Sequence, residues 1–429
     1  MPHRFRVLAL LFTLVLVMYF DRLCIAVAGP RIQHDLHLSP RQWGWVIGAF
    51  TLAYAVFEIP SGALGDRIGP RKVLTRIVLW WSVFTALTGA VSGYGTLLLV
   101  RFLFGAGEAG SFPNCASVIS RWIPAPERAR SASIIWLATS AGGALTPLLV
   151  VNIQQSYGWR AAFYAFSGLG VLWAALWYWW FRDTPREKAG VAIEELALIG
   201  DPAGSRHGAS IRAATRVVPR VVPWGAIFRN RNFQRILLMY HCYCWGAYFY
   251  LSWLHTYLQI GRGLTENEMK IASTLPACAG FVGLLAGGYF SDRLARHHSL
   301  RFARCSIGCV SLIVSGICMT AATFTRSNWW AVALITVGLG VMNAMLPVSW
   351  SLCVDLAGEH AGAVSGAMNT AGQAGSLISS VAFGYLVEWL GSYDRALMPL
   401  GLMLIVGGCV FATIDPSKAL IVEPELVTA

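Results

Sequence analysis

Residues Arg101 to Trp122 read RFLFGAGEAGSFPNCASVISRW, an apolar, small-residue run with one carboxylate, Glu108, in its middle. An uncharged tip, SGYG, precedes the run and a basic turn, RWIPAPERAR, closes it, so it reads as a membrane-crossing helix with Glu108 near mid-bilayer. At about 1.5 Å per residue, Glu108 lies about ten Å below Arg101, and a spacing of seven puts both on one face. A carboxylate at that depth is costly and normally faces a bundle interior or a water-filled path. Two readings stand: a functional group, or a carboxylate neutralised by Arg101 for structure alone. Gly105, Gly107 and Gly110 match the G-x-G-x-x-G spacing of a dinucleotide-binding turn, but that turn needs a strand before it and a helix starting at it. Within a hydrophobic span these glycines, with Ala106, Ala109 and Ser111, read as a smooth face for a neighbouring helix.

The rest of the chain extends this reading. Of 429 residues, 56% are hydrophobic and 13% charged, against about 25% charged in soluble domains; an integral membrane protein is implied. Stretches long enough to span a bilayer fall near 7–29, 42–64, 73–92, 96–120, 131–153 and 160–181. Six more fall near 233–258, 270–290, 303–324, 328–353, 361–387 and 395–414. The expected fold is all-α, with twelve transmembrane helices in two pseudo-symmetric six-helix halves. The division is an N-terminal half at 1–181, a cytoplasmic central loop at 182–232 and a C-terminal half at 233–429.

The net charge of +12 raises the question of nucleic acid, and its distribution answers it. Most Lys and Arg fall in alternate loops on the side of the N-terminus, which by the positive-inside rule puts both termini and the central loop in the cytoplasm. The expected surroundings are a lipid bilayer and no nucleic acid. The ten cysteines form neither a C-x-x-C pair nor a Cys/His cluster, so no metal, disulfide framework or cofactor is expected. Arg4, Arg6 and the apolar run to Phe20, followed by Ala26-Val27-Ala28, imitate a signal peptide. Asp21 and Arg22 ahead of the small residues, and the even span count, favour a retained first helix.

The halves repeat. Gly62-Ala63-Leu64-Gly65-Asp66-Arg67-Ile68-Gly69-Pro70-Arg71-Lys72 lies between spans two and three, and Gly288-Tyr289-Phe290-Ser291-Asp292-Arg293-Leu294 between spans eight and nine. Glu127 before span five and Glu359 before span eleven repeat at nearly the same interval. Duplicated halves of this kind describe a secondary transporter. The G-x-x-x-D-R-x-G-x-R-K loop with its weaker copy resembles the signature of the major facilitator superfamily. Within it, Tyr19-Phe20-Asp21-Arg22, the Arg101–Asn114 run and Trp253-Leu254-His255-Thr256-Tyr257-Leu258 resemble the anion:cation symporters. That family includes bacterial permeases for galactonate, glucarate and hexuronates, as well as sialin and the vesicular glutamate transporters. The likeness covers nearly the whole chain.

Three positions depart from that pattern. His255 stands where the family usually carries proline, the turn after span ten holds Asp355 and Glu359 with no Lys or Arg, and span five lacks the drug-antiporter glycine–proline motif.

Adjacent residues on a helix are about 100° apart, so Asp21 and Arg22 need separate partners. The resemblance implies that Arg22 faces the cavity, where its planar fork can hold a substrate carboxylate; Asp21 and Glu108 become the proton-carrying candidates. An Arg22–Asp21 or Arg22–Glu108 pair that merely locks helices is the alternative. Tyr19 and Tyr54 match cavity-facing family positions, and Ser349 and Trp350 enter on resemblance alone. Asn369 and Gln373, four apart on one face of span eleven, offer amides suited to hydroxyls or to bridging helices. Gly62, Asp66, Arg67 and Arg71, with Asp292 and Arg293, are expected to form a conformational latch. The expectation is a proton-coupled symporter, working as a monomer by alternating access, that imports a small organic anion such as a sugar acid; short termini and a modest central loop suggest a bacterial inner membrane. A facilitator or exchanger of the same fold is the nearer alternative. A multi-pass membrane enzyme is remote, because the chain lacks clustered nucleophiles, metal ligands or acid pairs near one interface.

Overall fold

The computed structural model describes residues 2–124, 127–199, 224–357 and 361–418, and among them there is no strand. Span one is His3–Asp35, span two Pro40–Ile68, span three Pro70–Ala90, span five Arg128–Tyr157 and span six Trp159–Trp180. Span four is two helices, Tyr94–Glu108 and Ser111–Trp122. Span seven is Arg231–Ser252, continued by one turn at Leu254–Thr256 and a π turn at Tyr257–Gly261. Spans eight and nine are Glu266–Ala295 and Leu300–Phe324. Span ten is Asn328–Asn343 with Met345–Ala357, and spans eleven and twelve are Ala361–Leu390 and Tyr393–Ala412. Glu359 lies outside the described residues.

Local chemistry starts several of these helices. The side chains of Asn230, Thr265, Ser299 and Ser392 each accept from a backbone N–H in the first turn of spans seven, eight, nine and twelve, and Thr265 with Glu268 closes a capping box. Span one begins differently: the N–H groups of His3 and Arg4 donate to the Glu195 carboxylate at 3.0 and 2.8 Å. That carboxylate comes from a short helix, Ile193–Ile199, within the stretch expected as central loop, and it answers the positive end of the span-one dipole.

The chain forms two compact units, Met1–Leu38 with Ala49–Arg220 and Ser39–Gly48 with Val221–Ala429. The start of span two therefore groups with the second unit, where Arg41 pairs with Glu388 at 2.9 Å and its guanidinium stacks on Tyr385. In the first unit, span one packs on spans five and six, and span three on spans four and six. In the second, span seven packs on eleven and twelve, and span nine on ten and twelve. The pairings are the same with six added, which carries the sequence repeat into packing. Small residues permit the closest of these seams: Gly170 of span six seats against Ser82 of span three, and Gly316 of span nine against the Gly401 carbonyl of span twelve.

Span four is not the single helix that its hydropathy suggests. Gly110 adopts φ +88°, a left-handed conformation that side chains disfavour, and Ala109 has ψ 139°. The hydroxyl of Ser111 donates to the Glu108 carbonyl at 2.6 Å, spending part of the freed backbone capacity. Gly105 and Gly107 do act as a packing face, against the Phe50 carbonyl and the Trp80 ring. Gly110→Ala is expected to cost about 1–2 kcal/mol from the left-handed backbone alone, with a further clash at Ser61. The check is the unfolding midpoint in detergent; an unchanged midpoint would remove the argument for strain here.

Span seven is interrupted at Trp253 without proline. Trp253 leaves helical geometry at φ −117°, ψ −16°, and Arg262 N–H reaches the Tyr257 carbonyl at 2.9 Å, widening the last turn. The Trp253 indole donates to the Ser380 carbonyl at 3.0 Å, and Arg262 ties Tyr257, Asp394 and the Thr325 carbonyl together at 2.8, 2.8 and 2.6 Å. His255 lies in the short turn that follows the interruption.

Candidate functional site

The break in span four leaves Glu108 as the last residue of its first helix, fully buried. A carboxylate there meets the negative end of that helix's dipole, so it requires a cation. Arg22 of span one supplies it: Nε donates to Glu108 Oε1 at 2.8 Å, and Nη2 contacts the same oxygen more closely. Arg101, the partner that spacing alone suggests, makes no ion pair with Glu108 within 4 Å among the described residues. Glu108 Oε2 has no hydrogen-bond partner among them. The Arg22 guanidinium is enclosed by aromatic rings, with its carbon 5.6, 5.1 and 4.9 Å from the ring centres of Tyr19, Phe50 and Tyr54. Such faces attract a desolvated cation and hold it in position.

Asp21 points elsewhere. It is 1% exposed, neither carboxylate oxygen has a partner in hydrogen-bond geometry, and the donors nearest its charge are Thr85 and Trp81 of span three. Arg101, 2% exposed, lies over the rings of Phe50 and Phe104 at 5.2 and 4.5 Å, and its charge acts on Glu108, Cys24 and Asp21. Half-buried Glu58, one helical turn after Tyr54, adds a third carboxylate whose charge is coupled to Arg22. One signal for Glu58 was present in the sequence: an acid inside a membrane span. For Phe50, Trp81 and Thr85 nothing in a single sequence marked their place.

Arg22, Arg101, Asp21, Glu58 and Glu108 set two guanidinium groups against three carboxylates. With all five ionised the cluster carries one net negative charge. In a low-dielectric interior, an added anion raises the electrostatic cost steeply unless protons arrive with it.

In the second unit the expected residues fall into two groups. Half-buried Gln373 accepts from the Tyr248 hydroxyl at 3.4 Å, and half-buried Asn369 lies one turn earlier on the same helix. Beside them, His241 Nδ1 contacts the Ala371 carbonyl at 3.1 Å and the Trp245 indole donates to Nε2 at 3.1 Å. An indole can only donate, so Nε2 is the accepting nitrogen of this pair. Ser349 is buried and its hydroxyl donates to the Leu346 carbonyl at 2.8 Å, while Trp350 is 41% exposed. His255 is 3% exposed, and neither ring nitrogen has a partner among the described residues.

The turn residues are placed only in part. Gly62 and Gly65 of span two seat against Pro113 and Asn114 of the second half of span four. The Arg71 N–H donates to Asp183 at 2.8 Å and its guanidinium to the Tyr178 carbonyl at 3.0 Å. Arg67 is exposed, and the Asp66 side chain lies outside the described residues. In the copy, Arg304 bridges Asp292 and Asp355 at 3.3 and 3.2 Å, and Arg293 donates to Tyr289 at 3.1 Å. A cation from span nine therefore serves the acidic turn after span ten.

Comparison with known proteins agrees with this architecture. The family described as the Major Facilitator Superfamily matches residues 11–380. The "Probable sulfoacetate transporter" of Cupriavidus necator is 35% identical over 96% of this chain and 94% of its own length. The "Probable galactarate/D-glucarate transporter" of Escherichia coli K12 is 30% identical over 94% and 91%, and the "D-galactonate transporter" of E. coli O6:H1 is 29% identical over 94% of each. Among solved structures, a bacterial homologue of the human lysosomal transporter Spinster, inward-facing and unoccupied, superposes with a TM-score of 0.78 at 19% identity, covering 96% of both chains. A D-xylose–proton symporter gives 0.70 at 14% identity, over 96% and 97%. These two likenesses speak to the fold.

Proposed function

Because the chain belongs to the Major Facilitator Superfamily, and is a transporter rather than an enzyme, we propose that it imports a small organic acid together with protons by alternating access. The observation that carries this reading is the Arg22–Glu108 pair inside a cluster with one carboxylate in excess. A substrate carboxylate competes with Glu108 for the Arg22 fork. Protonation of Glu108 frees the fork and offsets the incoming charge, so proton and anion bind more favourably together than apart. Asp21 is the second proton carrier. Tyr19 and Tyr54 hold Arg22 in place, and Asn369 and Gln373, with Ser349 and Trp350, are proposed as contacts for substrate hydroxyls.

Gly62, Asp66, Arg67 and Arg71, with Asp292 and Arg293, act as a latch in the cycle. The lopsided distribution of Lys and Arg supports cytoplasmic termini; a bacterial inner membrane and a monomer complete the proposal.

A sugar acid is the first substrate class, as in the galactarate/glucarate and galactonate relatives. A short carboxylate bearing a sulfonate is the second reading, favoured by the higher identity to the sulfoacetate relative. Uptake of labelled sugar acids and of sulfoacetate into proteoliposomes, with and without an inward proton gradient, tests both. Gradient-driven accumulation of one compound is the expected result and names the class. Uptake that stops at equilibration would mean a facilitator, and uptake of none would overturn the substrate assignment.

A further inference from the structure

Span three has two different faces. Val73, Leu74, Ile77, Val78 and Trp81 are buried, whereas Lys72, Arg76, Leu79, Trp80 and Val83 are exposed along the opposite side. From Lys72 to Val83 this exposed stripe runs about 16 Å along the helix, cationic over its first turns and apolar beyond. Together with Phe84 and with Tyr178 of span six it lines a groove of about 550 Å³.

The walls of the groove are fixed. The Trp80 indole donates to the Leu103 carbonyl at 2.8 Å and its ring fills the space left open at Gly107. Tyr178 is held from behind by Arg71, whose guanidinium stacks on its ring at 4.4 Å and donates to its carbonyl. Lys72 and Arg76, at the mouth, have no ion pair among the described residues.

We infer that this groove is a binding site for an anionic phospholipid, with the headgroup phosphate on Lys72 and Arg76 and an acyl chain along Leu79, Trp80 and Val83. Any lipid tail would satisfy the apolar part. The two unpaired cations at one end select the headgroup, because a phosphate there gains charge-assisted hydrogen bonds and an opposite charge at the membrane interface. The groove faces outward from spans three and six of the first unit, so its occupant differs from the transported acid.

The test is lipid retention by the purified full chain in native mass spectrometry, with phosphatidylglycerol and phosphatidylcholine supplied in equal amounts. Phosphatidylglycerol is expected to be retained preferentially. Each basic residue near an anionic headgroup contributes a factor of about five, so Lys72→Gln with Arg76→Gln should lower retention by about 25-fold. If the double variant does not fold, Lys72→Gln alone should give about five-fold. Val83→Trp fills the apolar end and should reduce retention without changing charge. Equal retention of the two lipids, an unaffected Lys72→Gln variant, or an equal loss from Arg229→Gln with Arg231→Gln would each overturn the site. So would a second copy of the chain occupying the groove in place of lipid.

Discussion

Glu108→Gln is expected to abolish proton-driven accumulation while leaving substrate exchange across the membrane intact. A proton gradient of one pH unit is worth 1.36 kcal/mol per proton, so a one-proton symporter accumulates substrate about tenfold, and the variant should not exceed equilibration. The geometry makes glutamine a controlled change. Its amide oxygen can still accept from Arg22 Nε, where Glu108 Oε1 now accepts at 2.8 Å, but it cannot take up and release a proton. Counterflow of labelled against unlabelled substrate reads the exchange that survives. Should accumulation persist in this variant, coupling lies with Asp21 or Glu58 and Glu108 is a structural partner for Arg22. Loss of both accumulation and exchange would mean that the carboxylate is needed for binding or folding.

The second large effect is at Arg22. Arg22→Lys keeps a positive charge near Glu108 but replaces a planar fork with a single ammonium. Loss of one charge-assisted hydrogen bond, about 1.5–3 kcal/mol, should raise the apparent KM about 10- to 100-fold while the protein remains folded. Arg22→Ala is a harsher change: it strands a fully buried carboxylate, a defect of about 3–5 kcal/mol, and is expected to reduce the yield of folded protein. Combining Arg22→Ala with Glu108→Gln removes the stranded charge, so the double variant should recover folding without recovering transport. If transport returns with it, Arg22 is not the carboxylate-binding group.

Much of the architecture was legible because lipid imposes a simple rule: each span must be long and apolar, and each loop shows its side through its basic residues. Eight of the helices meet such a criterion by length and composition among the described residues. Span four does not, because its two helices have 15 and 12 residues. Its interruption was hidden in a glycine cluster with two jobs, since Gly105 and Gly107 pack against neighbours while Gly110 turns the backbone.

The candidate site was legible as a set of charges with more than one pairing open. Spacing along one helix suggested Arg101 for Glu108, and an Arg22–Glu108 pair stood beside it as an alternative; the pair observed is the second, 86 residues apart in sequence, a relation that helical spacing alone does not encode. The interruption of span seven shows the reverse case. His255 in a proline position put a bend in question; the helix is interrupted beside it, with Trp253 anchored and a widened turn at Tyr257–Gly261.

The separation of Arg22 from Glu108 also bears on biogenesis. A charged residue at the centre of an inserting helix opposes partition into lipid by about 2.5–3.5 kcal/mol. Span one carries Asp21 and Arg22, and span four carries Arg101 and Glu108. Span one is long and apolar enough to cross a membrane even with these residues, but its Arg22 charge is answered by Glu108 on span four. Assembly of the first unit is therefore the step that neutralises these buried charges: the hydrophobic runs drive insertion, and the ion pair between the spans offsets its polar cost.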